Sequence, residues 1–331
     1  MKRLLLCLSA GILTAIILAQ LYTRFLHPEI TFFRKADAIC TLHEQNLRAA
    51  GHHCCILAGG SETKASLSPT VMMEEAGIAA VNAATAAGFG LESNASIGIN
   101  HLQSGDTLVL SLISAQEDSI QASDAGLKLA WQLCGRRAYR HSIIQPLPRN
   151  ILPLFASDAG SMFISLIRRC TRGYAYVYRK HSTLHPDSWM EVHRHTMQEQ
   201  TIQPTLPEDH MLSPRLVGLL QRTQEACQAI QARFVIMLPV GYTNEHETKR
   251  RLMHALQLTR MGIPVLRDER LGREPDRSLY ADTMFHMNAR GTDQNSRIIA
   301  RLLKDKSYWT EQELLERMNA RGFTVDDTPQ K

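Results

Sequence analysis

Three observations predict an α/β fold, a three-layer sandwich around a mainly parallel sheet of about five strands. Short apolar runs of strand length recur along the chain, amphipathic helical stretches separate them, and glycine or proline marks many of the junctions. A strand that is buried on both faces reads as a continuous apolar run rather than an alternating one, and that is the form these runs take.

The first element lies before the sheet. "MKRLLLCLSAGILTAIILAQLYTRF" is uncharged from Leu4 to Thr23. About twenty helical residues span about 30 Å, the thickness of a hydrocarbon core, so residues 1–25 are expected to form a transmembrane helix. A cleavable signal has a shorter apolar region of about 7–15 residues and a small-x-small site, which favours an uncleaved signal anchor here. Lys2 and Arg3 argue for a cytoplasmic N-terminus, although Arg24, Arg34 and Lys35 on the far side oppose that bias. Residues 26–50 then read as a membrane-proximal helical linker.

The main domain is expected over 51–310. Its strands are "CCILA" (54–58), "IAAVN" (78–82), "TLVLSLI" (107–113) and "FVIMLPV" (234–240), with "IPVLRD" (263–268) as a weaker fifth. Among the helices, "SPRLVGLLQRTQEACQAI" begins with Ser213 as N-cap and Pro214 in the first turn. Leu216, Leu219, Leu220, Thr223, Cys227 and Ile230 make its apolar face. "ETKRRLMHALQLTRMG" reads as a helix stopped by Gly262, and "TKRR" (248–251) as its wet face. Thr310 caps a last helix in the segment 311–331. The stretch from about 140 to 212 breaks the rhythm with "QPLPRNILP", a helical pattern near 155–170 and a segment bearing His, Pro and Met. It is expected to be an insertion over the sheet edge.

Composition bounds the function. The chain has 331 residues, 44% hydrophobic and 21% charged, enough for a real core. A net charge of +5, with no basic stripe interleaved with aromatics, argues against nucleic acid. Besides Cys7 in the apolar segment, the cysteines are Cys40, Cys54, Cys55, Cys134, Cys170 and Cys227. An even number permits disulfides in an exported domain, but the spacing shows no framework, and Cys54 and Cys55 read as core packing.

The chemistry centres on "ILAGGSETKAS" (56–66). A strand ends in two glycines followed by Ser61, at the sheet edge where α/β proteins bind ligands. A serine hydroxyl needs a base to take its proton and a third group to orient that base. Near the C-terminus, "YADTMFHMNARG" offers Asp282 and His286 just before a helix that starts after Asn288. Weaker candidates read as ordinary structure. "GFGLES" (88–93) lacks the third glycine and downstream acid of a dinucleotide site. His185, His193 and His195 lack a convincing carboxylate or thiolate partner and read as solvated, so no metal and no cofactor are expected. "NAS" (94–96) matches a glycosylation sequon that has no meaning in a bacterial chain.

Together, "GGSET", "VNAATAAGFG" and "DTMFHMN" resemble the SGNH (GDSL-like) hydrolase and acyltransferase superfamily. The likeness covers roughly residues 50–120 and 230–305. "GGSET", "SGDTLVLSL" and "HMNARG" look more like its membrane-anchored branch, with D-alanyl transfer proteins and envelope glycan O-acyltransferases, than like soluble esterases. The resemblance implies a flavodoxin-like (SGNH) sandwich. It also implies a serine esterase or O-acyltransferase in which Ser61 is the nucleophile, His286 the base and Asp282 its orienter. The oxyanion hole would draw on the N–H groups of Ser61 and Gly88, with Asn82 and Gln116 as side-chain helpers. The implied setting is the inner membrane, single-pass, with a periplasmic or extracellular domain. The implied partners are an envelope glycan or other acylated substrate, together with a membrane acyltransferase. Two departures stand out: three residues rather than two separate Asp282 from His286, and no asparagine block follows the third strand. The alternative is therefore a degenerate scaffold acting as a binding or assembly subunit in envelope polymer modification.

Overall fold

The computed structural model describes residues 2–25, 28–113, 182–193, 211–243 and 245–323. The elements run α1 (Lys2–Phe25), α2 (Pro28–Ala49), β1 (Cys55–Ala58), α3 (Ser61–Ser66), α4 (Pro69–Ala76), β2 (Ala80–Asn82), α5 (Leu91–Asn100) and β3 (Thr107–Ser111). There follow β4 (Ser182–Leu184), β5 (Met190–Val192), α6 (Pro214–Ala229), β6 (Arg233–Met237), α7 (Glu245–Arg260), α8 (Ala289–Lys304) and α9 (Glu311–Ala320).

The four long apolar runs form one parallel sheet in the order β2-β1-β3-β6. Register is set by Cys55 opposite Ala80 and Thr107, and by Thr107 opposite Arg233. Strand alternation divides the side chains between two cores. Ile56, Leu108, Leu110, Phe234 and Ile236 face one side, where α2, α5, α6, α7 and α9 pack. Leu57, Val109, Val235 and Met237 face the other, against Met72 of α4 and Ile299 and Leu303 of α8. Each such leucine or isoleucine, taken fully out of water, contributes about 1.5–3 kcal/mol.

The fifth run meets the sheet through one isolated bridge, Val265 to Ile236, and the segment before α9 through another, Leu266 to Tyr308, so among the described residues the sheet has four strands rather than about five. The Ile236 N–H donates to Pro264 O and the Leu266 N–H to Ile236 O, and Pro264 has no N–H with which to extend the ladder.

Helix ends follow their capping residues. Ser213 accepts the Leu216 N–H, Asn288 accepts the Gly291 N–H, and Thr310 with Glu313 closes a capping box. The "TKRR" reading is overturned, because Arg250 and Arg251 are fully buried. Arg251 Nη1 donates to Pro239 O and Gly272 O, so this guanidinium ties the end of β6 to a later loop instead of facing water, and Arg250 pairs with Glu247.

α2, expected as a linker, packs Phe33, Ala36 and Cys40 inward, and its Arg48 pairs with buried Asp106 at 2.7 Å. α1 leaves Leu4, Leu5, Leu6, Leu8, Ile12, Leu13, Ile17, Leu18 and Leu21 exposed. Among the described residues no helix is long and apolar enough to cross a membrane; the described side chains of α1 run to Leu18 and include Leu21. Cys40, Cys54, Cys55 and Cys227 are buried free thiols, and burial pushes the Cys40 thiol up to about 12. Cys134 and Cys170 lie outside the described residues, as does the helical pattern near 155–170.

The sheet order positions a site. The chain passes from β1 to β2 on one side and then to β3 on the other, so β1 borders a topological switch point. In such sheets the crevice for a ligand opens beyond the carboxyl ends of the strands at that point.

Candidate active site

Ser61 leaves β1 at that switch point, as the first residue of α3 behind the Gly59–Gly60 turn. Both glycines are required by close packing. A Cβ on Gly59 would fall on Thr63 Oγ1 and come within 2.8 Å of Ser111 Cβ; one on Gly60 would fall on the Glu62 carboxyl and within 2.9 Å of Ala87 N.

The second half of the site comes from 225 residues later in the chain. His286 Nε2 lies 2.9 Å from Ser61 Oγ, and its Nδ1 lies 2.8 Å from Asp282 Oδ1. An ionised carboxylate can only accept, so Nδ1 carries the proton and donates to Asp282. Nε2 is then left as acceptor for the Ser61 hydroxyl. Ser61 and His286 keep only 8% and 6% of their surface exposed, so little water competes for these bonds. The unusual spacing does not prevent the pair from forming. Thr283 Oγ1 accepts the His286 N–H at 3.0 Å, and the Ala281 N–H donates to His286 O at 2.8 Å. These bonds fold 281–286 into a bend that turns both side chains the same way. The bend is anchored on two sides, by Ser66 Oγ donating to Phe285 O and by the Tyr242 N–H donating to Met284 O.

The expected oxyanion donors differ in placement. The Ser61 N–H belongs to the first turn of α3 and finds no carbonyl within the helix. Gly88 sits in a short 3₁₀ turn, Ala87–Phe89, packed beside Gly60 and anchored by Phe89 edge-on to Phe33, with centroids 5.0 Å apart. The oxyanion role expected of Asn82 does not fit its bonds, since its Nδ2 donates to Thr63 O at 3.1 Å and to Leu67 O at 2.8 Å. Its carbonyl oxygen accepts the Ala84 N–H, so the whole amide splices β2 to α3. Gln116 lies outside the described residues.

Several contributors were not singled out as site residues by the sequence, although Glu62 belongs to the "GGSET" likeness. Glu62 is buried, and its Oε1 accepts from the Gly60 N–H at 2.9 Å and from the Thr63 and Ser111 hydroxyls at 3.2 Å each. Lys64, one turn after Ser61, is buried with its ammonium on Asn82 O at 2.6 Å; burial lowers its pKa to about 8. A hairpin, β4 and β5, docks from the expected insertion. Its Met190 and Val192 pack on Ala65 of α3 and Ala281 of the histidine bend. Ser188 Oγ accepts the Asn82 N–H, and Asp187 Oδ2 accepts from Ser68 Oγ and the Thr70 N–H. The one sequence signal that could have marked them is Ser111, a lone hydroxyl ending an apolar strand.

The remaining candidates have structural surroundings. His185 stacks on Trp189 and meets Glu191 at 3.0 Å, and His193 meets Thr183 at 2.7 Å; His195 lies outside the described residues. Among the described residues no group of three or more His, Cys, Asp or Glu is arranged to hold a metal. Asn94 of the sequon is buried and bonded to Thr85 and to Ala86 O.

Chemically, the arrangement is a hydroxyl with an imidazole in line and a carboxyl group behind it, which suits proton abstraction from Ser61. Comparison of the chain with protein families, with curated proteins and with solved structures gives no match.

Proposed function

We propose that the chain is a serine esterase or O-acyltransferase of SGNH-like character, acting on an acylated envelope glycan or lipid-linked substrate. The single observation that carries this reading is the continuous relay from Ser61 Oγ through His286 to Asp282 Oδ1, with steps of 2.9 and 2.8 Å. In the proposed cycle, His286 Nε2 takes the Ser61 proton as Oγ attacks an ester carbonyl. The tetrahedral oxyanion leans on the N–H groups of Ser61 and Gly88. His286 then returns the proton to the departing alcohol, leaving an acyl-Ser61. Water as the second nucleophile gives hydrolysis; a glycan hydroxyl gives transfer. Asp282 holds the imidazole tautomer and stabilises the imidazolium in both halves.

Anchoring through 4–23, with the domain outside the cytoplasm and a membrane acyltransferase as donor partner, is part of the proposal. It rests on the uncharged run and on the exposed leucines of α1. The competing reading, a binding or assembly subunit, draws on the engaged amide of Asn82, because loss of one oxyanion donor costs about 100-fold or more in rate.

A fluorophosphonate probe applied to the full-length protein in detergent separates the two. Covalent labelling that disappears in Ser61→Ala is expected. A folded protein that stays unlabelled over hours at pH 8 would overturn the enzymatic reading.

A further inference from the structure

Glu62 follows the nucleophile and is fully enclosed, yet no proton relay passes through it. All its hydrogen bonds to other residues converge on one oxygen. The Gly60 N–H and the hydroxyls of Thr63 and Ser111 all donate to Oε1. Oε2 is buried without a partner and lies next to Gly60, where an added Cβ would meet both this oxygen and the backbone of Ala87. Among the described residues no cation lies against it, and a buried carboxylate with one bare oxygen is a costly state, whereas a carboxylic acid divides its oxygens into an acceptor and a proton carrier.

The surrounding charges do not alter this. Lys64 on the same helix sends its ammonium to Asn82 O on β2. His286 and Asp282 are engaged with Ser61 and with each other. β3 presents only the Ser111 hydroxyl, and the 87–89 turn presents uncharged backbone.

We propose that Glu62 is a positioning residue that works as an uncharged carboxylic acid, its Oε1 cinching the Gly59–Gly60 turn to the end of β3 and its protonated Oε2 filling the seam between that turn and Ala87. The inference rests on the proposed nucleophilic role of Ser61. It gives one physical reason for four features of the sequence: the two bare glycines that admit the carboxyl, Thr63, and the hydroxyl of Ser111 at the end of an apolar strand. An uncharged group is also what the proposed chemistry needs there, because a carboxylate held on the turn next to Ser61 would oppose the negative charge developing on the oxyanion. Burial, the largest influence on Glu62, acts the same way and raises its pKa, outweighing the hydrogen bonds that lower it.

The test compares Glu62→Gln and Glu62→Ala with the wild-type full-length chain in detergent. Glutamine keeps the acceptor oxygen and puts N–H where the acid has O–H. Fluorophosphonate labelling of Glu62→Gln at pH 7 is expected within about tenfold of wild type, and that of Glu62→Ala to fall by about 100-fold, the scale of a disturbed oxyanion site. The second readout is thermal unfolding between pH 5 and 8. A group whose folded pKa is raised loses its stabilising effect as pH climbs from the unfolded value towards the folded one. Wild type should therefore lose ground steadily to Glu62→Gln across that window. The proposal is overturned if Glu62→Gln folds but labels as poorly as Glu62→Ala, or if the gap in unfolding temperature does not change with pH. Should Glu62→Ala fail to fold, Glu62→Gln and the unfolding series decide alone. A wild-type protein that never labels would count against Ser61 as nucleophile, while the unfolding series would still report the charge on Glu62.

Discussion

Asp282 shows how much a single side chain can control without touching a substrate. Its Oδ1 accepts the Nδ1 proton of His286 at 2.8 Å, and that bond favours the tautomer that presents a bare Nε2 to Ser61. Asp282→Asn would present an amide that can donate, favouring the opposite tautomer and leaving Nε2 protonated against a hydroxyl. Fluorophosphonate labelling is expected to fall by about 10³–10⁴-fold with the unfolding temperature nearly unchanged, as measured by labelling kinetics beside calorimetry. Asn82 makes the opposite point. Its type and position suggested a donor to an oxyanion, but both its amide hydrogens hold the backbone of 63–67. A sequence shows that an amide is present; it does not show which carbonyls have already claimed it.

Among the elements, the β4–β5 hairpin is the least expected buttress. It belongs to a stretch that breaks the strand–helix rhythm, and yet β5 lies against both halves of the site, packing Met190 and Val192 on Ala65 and Ala281. Truncating Met190, which is 1% exposed, would leave a cavity between α3 and the histidine bend. Met190→Ala should cost about 2–5 kcal/mol of stability by calorimetry. It should also slow fluorophosphonate labelling, because the Ser61–His286 distance depends on that packing; a variant destabilised to that extent but labelling at the wild-type rate would show that the hairpin does not set the geometry. Legibility was uneven at this scale for clear reasons. Strands buried on both faces announce themselves as apolar runs, and caps such as Ser213 and Thr310 announce helix starts. Arg250 and Arg251 read as surface because charge normally stays wet, and only the tertiary placement of the Pro239 and Gly272 carbonyls reveals why Arg251 is inside. The fifth strand stops at one end at Pro264, which has no N–H, and at the other where the Asp268 N–H turns back to Leu266 O.

At the scale of the whole molecule, the fold class could be read from the strand–helix alternation, and so could the end of the sheet that carries the site. The pairing of Ser61 with the Asp282–His286 bend rested instead on motif resemblance, since nothing in the local chemistry of either segment points to the other. Global stability should carry the signature of Lys64, one of several buried cations. Lys64 is lowered from 10.5 to about 8 by burial, so below pH 8 both folded and unfolded chains hold its proton and the full penalty of burying charge applies. Between about pH 8 and 10.5 the folded chain has lost the proton and the unfolded chain keeps it, so stability attributable to this residue rises with pH. The rise should total about 3 kcal/mol, at about 1.4 kcal/mol per unit of pKa. Subtracting the unfolding curve of Lys64→Met from that of wild type at each pH isolates this residue from cysteines and tyrosines that titrate in the same range. A difference that stays flat across the window would refute the assignment.

The 225 residues between Ser61 and His286 set an order of events. A ribosome makes the Ser61 turn early, with β1, and the bend that carries His286, its proposed base, near the end. Until β6 has joined the sheet and 281–286 has docked on Ser66 and Tyr242, Ser61 is an ordinary alcohol with no group to take its proton. On the proposed role of Ser61, a nascent or partly folded chain is therefore chemically silent, and a chain interrupted anywhere before residue 282 stays so. Contacts this distant in sequence are also among the slowest to form. Reactivity would then be the last property the protein acquires and the first it loses on unfolding, which makes labelling by an active-site probe a sensitive report of complete folding.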